Sequence, residues 1–98
     1  MIEGALIKMG GKDWIVPPLS FKQIKTVVPK LNAVQKKKNA GLFEYMDAIV
    51  EIIHAATSRN YPDVTIDELE GMVDQKSAPL ILASIMEQSG VEQGQPGE

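Results

Sequence analysis

Glu51 and His54 stand three positions apart in Glu51-Ile52-Ile53-His54, the helical spacing that brings a carboxylate and an imidazole to one metal in di-iron bundles. Such a centre also requires glutamates from neighbouring helices and a second copy of the motif. The stretch from Ser20 to Asn39 contains no carboxylate, so the preceding helix has nothing to contribute. A symmetric dimer would duplicate the motif without supplying the bridging acids. His54 is the single histidine and cysteine is absent, which excludes thiolate zinc sites, thiolate nucleophiles and disulfides. The better reading is a half-exposed histidine on a helix surface near Asp47 and Glu51.

Other reactive combinations fail on geometry. Ser58, His54 and Asp47 fall on adjacent turns of one helix, which rarely aims three groups at one substrate atom, and no nucleophile elbow surrounds Ser58. Gly10-Gly11 lacks the Gly-Lys-Ser/Thr and helix start of a phosphate loop. Asp67 and Glu68 belong to a first helical turn, where the helix dipole favours acids for structural reasons. The expectation is a chain without catalytic residues, metal or cofactor, that is, not an enzyme.

The charge is small in sum, −3 at neutral pH, and segregated along the chain. Residues 1–40 carry eight lysines against Glu3 and Asp13, a net of +6, whereas residues 41–98 carry Arg59 and Lys76 against eleven acids, a net of −9. Such asymmetry offers an electrostatic handle to a partner or to another copy of the chain, unless the two halves simply fold against each other. The segment from Lys22 to Lys38 raises the case of a small nucleic-acid-binding regulator. One arginine, few aromatics on that segment and a pI near 5.1 favour a solvated lysine face instead.

The elements that must carry these residues are legible in turn. Ala5–Met9 and Lys12–Val16 flank Gly10-Gly11, the signature of a β-hairpin with a primed two-residue turn. That register pairs Ile7 with Trp14 and Lys8 with Asp13, both favourable cross-strand pairs, and a lone hairpin must dock on something. Ser20 caps a segment with Phe21, Ile24, Val27, Val28, Leu31 and Val34 at helical spacing. Pro29 removes a backbone donor, so a break near residue 28 is expected, giving two short helices or one kinked helix.

Residues 42–58 form the strongest helix, with Leu42, Phe43, Met46, Ile49, Val50 and Ile53 on one broad apolar face. Tyr45, Ala48 and Ile52 widen that face toward contacts on two sides. Thr65-Ile66-Asp67-Glu68 is a capping box opening a helix over roughly 66–75, with Ile66, Leu69 and Val73 inward. Ser77 caps a last helix containing Leu80, Ile81, Leu82, Ile85 and Met86, stopped by Gly90. The fold class expected is mainly α (α+β): an N-terminal hairpin over 5–16, then a compact bundle of four to five short helices. Residues 1–90 form one domain and 91–98 a flexible tail.

No apolar run approaches the ~18 residues that span a bilayer, and Met1-Ile2-Glu3-Gly4 does not open a secretory signal. A cytoplasmic protein is expected. Wide apolar faces, polarised charge and no reactive constellation together describe a protein that binds other proteins.

Two stretches carry a resemblance. One is the hairpin running into Val16-Pro17-Pro18-Leu19-Ser20-Phe21. The other is His54-Ala55-Ala56-Thr57-Ser58-Arg59-Asn60-Tyr61-Pro62-Asp63-Val64-Thr65 with Asp67-Glu68-Leu69-Glu70 after it. Across roughly residues 5–75 the chain resembles the small tail assembly chaperones of tailed bacteriophages and prophages, with Ser58 to Asp63 the most specific part. Where such proteins often carry a Leu-Asp-Leu-Gly-Asn-like stretch, this chain has Val73-Asp74-Gln75-Lys76-Ser77. The resemblance implies binding to the tape-measure protein while tail-tube subunits polymerise around it in the bacterial host cytoplasm, and absence from the mature virion. Homo-oligomerisation fits the same job. The competing expectation within morphogenesis is a minor tail or connector protein retained in the particle. The resemblance assigns no binding residues, and Asn60-Tyr61-Pro62-Asp63 reads as a turn that orients the helices around it.

Overall fold

In the computed structural model, which describes residues 1–92 of the chain, an antiparallel hairpin is followed by four helices. The strands β1 (Ala5–Met9) and β2 (Lys12–Val16) pair in the register expected from the sequence, with Ile7 opposite Trp14 and Lys8 opposite Asp13. Gly10 and Gly11 have φ of 61° and 77°, the left-handed pair that a primed turn needs to match strand twist. Met9 and Val16 are buried and Ile7 and Trp14 pack against the core, while Leu6, Lys8 and Asp13 on the other face are exposed. Period-two alternation thus selects which face of the ribbon docks.

Helix α1 (Phe21–Lys36) starts at a capping box: the Ser20 hydroxyl accepts from the Gln23 amide and the Gln23 side chain accepts from the Ser20 amide. It then continues as one helix through Pro29: of the two outcomes expected near residue 28, two short helices or a single one, the single helix forms. The reason is where Pro29 sits. Pro29 is exposed, and so is Lys25, whose carbonyl loses its intrahelical partner to the proline and is left facing water. Val27, Val28 and Leu31 are buried on both sides of the proline and anchor the helix to the core there.

Helix α2 (Leu42–Thr57) is the spine of the fold. Its middle and C-terminal turns are buried from Ala48 to Thr57 at seven positions, and it packs against α1, α3, α4 and β2. Burial from several directions explains why its apolar residues exceed a single stripe. Helix α3 (Ile66–Met72) opens at the expected Thr65–Glu68 capping box but ends before residue 75, with Val73 extended. Leu69 is fully buried, whereas Ile66 lies partly in solvent.

Helix α4 (Ala78–Gln88) brings Ile81, Leu82, Ile85 and Met86 into the core, and Leu80 faces out. The Ser77 side chain does not cap it. Asp74 takes that part, accepting from the amides of Lys76 and Ser77 through Oδ1. At the other end Gly90 has φ of 74°; its amide donates to Glu87 and the Val91 amide to Met86, a Schellman closure. Val91 therefore belongs to the folded body, and the remainder of the expected tail, residues 93–98, lies outside the described residues. No helix among the described residues is long and apolar enough to cross a membrane.

Candidate functional site

The Glu51–His54 pair is divided between two neighbours. Glu51 Oε1 accepts from Lys30 Nζ on α1 at 2.9 Å. His54 Nε2 lies 3.0 Å from the Val64 carbonyl oxygen, an acceptor only, so this nitrogen carries the proton in that contact. His54 thus ties α2 to the loop before α3. Ser58 Oγ donates to the Ala55 carbonyl, a local helix-end bond, and Asp47 is exposed about two turns before His54. Among the described residues no group of three or more histidine or acidic side chains could hold a metal ion.

The Arg59-Asn60-Tyr61 run does more than orient two helices. It fastens the hairpin to the bundle. Arg59 Nη1 donates to the Pro18 carbonyl at 2.6 Å. Asn60 Nδ2 donates to the carbonyls of Ile2 and Ile15, and its Oδ1 accepts from the Ile2 amide. The Tyr61 hydroxyl accepts from the Ile15 amide and its ring meets Trp14 edge-on, with centroids 4.8 Å apart. The outer strand edges of a two-stranded ribbon have unpaired backbone groups, and Asn60 and Tyr61 satisfy both of those of Ile15.

From α4, Gln88 completes the seam: its Oε1 accepts from Ala5 and its Nε2 donates to the Val16 carbonyl, the two residues paired at the open end of the hairpin. Ser89 Oγ accepts from the Leu19 amide. Sequence reasoning overlooked both residues; the only trace is a polar Gln-Ser pair closing an apolar helix just before its glycine stop.

The lysines of α1 and of the turn that follows it form a solvated surface. Lys22, Lys25, Lys36 and Lys38 are exposed, while Lys30 and Lys37 cross to Glu51 and Glu44 on α2. The basic first half and the acidic second half therefore meet in two surface ion pairs. Lys37, with the Gly41 amide, holds the Glu44 carboxyl below its ordinary range.

What remains unaccounted for is the first part of α2. Phe43 is 75% exposed, Leu42 53% and Met46 40%, on the same helix whose later apolar residues, Ile49, Val50, Ile52 and Ile53, are buried. They line one side of a groove of about 500 Å³ that extends down to Ile49, Val50 and Ile53. Val73, Ala78 and Pro79, from the corner between α3 and α4, make the opposite side. The polar members of the lining include the carboxylates of Asp47, Glu70 and Asp74, and no lysine or arginine lines it. Asp74 is kept ionised: the amide and hydroxyl of Ser77, with the Lys76 amide, hold its carboxyl below the ordinary 3.8.

A contiguous apolar concavity with an acidic rim suits recognition of another molecule, because water leaves it readily while the charges select orientation. Periodicity identified Leu42, Phe43 and Met46 as apolar-face residues. That the face lacks a cover is set by the shortness of α3 and the path of the α3–α4 corner, which no local pattern encodes. Compared with known proteins, the chain matches no protein-family model, no curated protein and no solved structure.

Proposed function

We propose that this protein is a tail assembly chaperone of a tailed bacteriophage or prophage, a binding protein that holds the tape-measure protein and engages tail-tube subunits during tail morphogenesis. It works in the bacterial host cytoplasm, without catalysis, and leaves the particle before maturity. Two kinds of support meet here. The resemblance of the hairpin and of the Ser58–Asp63 run suggests the family. The single observation that carries a binding function is the open groove, in which Leu42, Phe43 and Met46 are left in water at the start of a helix whose later apolar side chains are buried.

A helix-lined apolar groove accommodates amphipathic helical segments. A long, helical tape-measure chain offers such segments, and needs them covered until the tube encloses it. The lysine face of α1 favours no competing nucleic-acid reading, since two of its charges are engaged by Glu44 and Glu51 and the rest lack interleaved aromatics.

Co-expression with the tape-measure and tail-tube proteins encoded beside this gene, followed by size exclusion with light scattering, tests the assignment. A stable complex with the tape-measure protein is expected. A strictly monomeric chain that enters no complex would contradict it, and its recovery from purified virions would instead mark a retained minor tail or connector protein.

A further inference from the structure

We infer that the groove between α2 and the α3–α4 corner takes one amphipathic helix of another protein, with an apolar ridge bordered by lysine or arginine. The inference rests on reading the groove as the binding surface of the proposed function, and it adds the chemistry of the occupant.

The dimensions point to a helix of about three turns. From Leu42 to Ile53 the wall of α2 rises by about 16 Å, at ~1.5 Å per residue. Aromatic and aliphatic side chains line it over this length, so a partner presenting apolar residues at i, i+3, i+4 and i+7 meets a hydrophobic surface throughout. The rim then selects charge. Asp47, Glu70 and Asp74 border the groove with no cation among its lining residues. A partner flanked by acids would meet three carboxylates, whereas lysine or arginine flanks would be attracted to them and set in orientation.

Occupants from this chain itself fit poorly. Residues 93–98, Gln-Gly-Gln-Pro-Gly-Glu, have no apolar side chain larger than proline and end in an acid. The basic surface of a second copy has the right charge, but Phe21 is the one large hydrophobic that α1 exposes. It offers no ridge to bury.

The test uses fluorescently labelled three-turn peptides with leucine at i, i+3, i+4 and i+7 and flanks of lysine, glutamine or glutamate. Anisotropy follows their binding, and methyl NMR of Met46, Ile49 and Val50 locates it. The lysine-flanked peptide is expected to bind at least about tenfold more tightly than the glutamate-flanked one at low salt, losing that advantage as salt rises. The double variant Asp47→Lys/Glu70→Lys, whose two sites are exposed, is expected to reverse the order while retaining native Trp14 fluorescence.

Equal binding of all flanks, or shifts confined to other methyl groups, would overturn the inference. So would a self-associated state that protects these three residues, since the occupant would then be a second copy. Absence of peptide selectivity with an intact tape-measure complex overturns this inference alone. Selectivity without any tape-measure complex overturns the chaperone assignment alone.

Discussion

The Tyr61 hydroxyl accepts the amide proton of Ile15 at 2.9 Å, across 46 positions of sequence, and the same ring stands at 72° to that of Trp14. One side chain therefore satisfies a strand-edge donor and covers the face of the hairpin. Tyr61→Phe removes the acceptor and keeps the ring, and is expected to lower unfolding free energy by about 1–2 kcal/mol. Tyr61→Ala removes both and should cost more. Urea denaturation followed by Trp14 fluorescence measures this; an unchanged midpoint for Tyr61→Phe would show that the hydrogen bond contributes nothing.

The hairpin turn is constrained from outside as well as by its own backbone. Gly10 has positive φ, and a Cβ built there would lie 2.6 Å from Cγ and Sδ of Met72. Gly10→Ala is expected to destabilise by about 1–2 kcal/mol from the left-handed backbone alone, with a further loss from displacing Met72. Since the backbone part is independent of Met72, a double-mutant cycle with Met72→Ala should recover only the steric part. Full recovery would contradict the assignment of strain to the turn.

Pro29 stands in an intact helix, where proline is about 3 kcal/mol less favourable than alanine. Pro29→Ala restores an N–H opposite the Lys25 carbonyl and should stabilise the protein by about 1–3 kcal/mol. Thermal or chemical denaturation decides the matter. A loss of stability would mean that the proline supports the packing of Val27, Val28 and Leu31 rather than merely being tolerated.

Asp74 links groove and helix cap. Its carboxyl titrates below the ordinary value because the Ser77 amide and hydroxyl, and the Lys76 amide, favour the charged form. A depressed folded-state pKa contributes stability that is present above the unfolded value and lost as pH falls through the folded one. Carboxyl NMR titration is therefore expected to give Asp74 a midpoint below 3.8. The amides of Lys76 and Ser77 should move with the same midpoint, and Asp74→Ala should abolish that acid transition. A midpoint at or above the ordinary value would contradict the capping role.

The local parts of the fold were legible in the sequence because each rests on a few neighbouring residues. Gly10-Gly11 and its alternating flanks determine the hairpin register, and Ser20, Thr65 and Gly90 mark helix ends through bonds to near neighbours. Whether Pro29 splits the helix depends on which way the freed carbonyl faces, and that is a tertiary property. The type of Ser77 suggests a cap, but it is Asp74, three residues earlier, that opens the turn before α4, by accepting from the amides of Lys76 and Ser77.

The candidate site was legible only in part. The apolar face of α2 was evident, and the Asn60-Tyr61 run was identifiable as a special turn. Its bonds to Ile2 and Ile15 span more than forty positions, beyond any local pattern. The same holds for Gln88, and for the absence of a cover over Phe43.

The central claim is that the groove of α2 is where this protein holds its partner. The direct measurement is co-purification of the double variant Phe43→Asp/Met46→Asp with the tape-measure protein proposed as its partner, with Trp14 fluorescence and thermal unfolding run alongside. Both residues are exposed, so the variant should fold as the parent does. Loss of the complex from a folded variant is the predicted result; an undiminished complex would contradict the account.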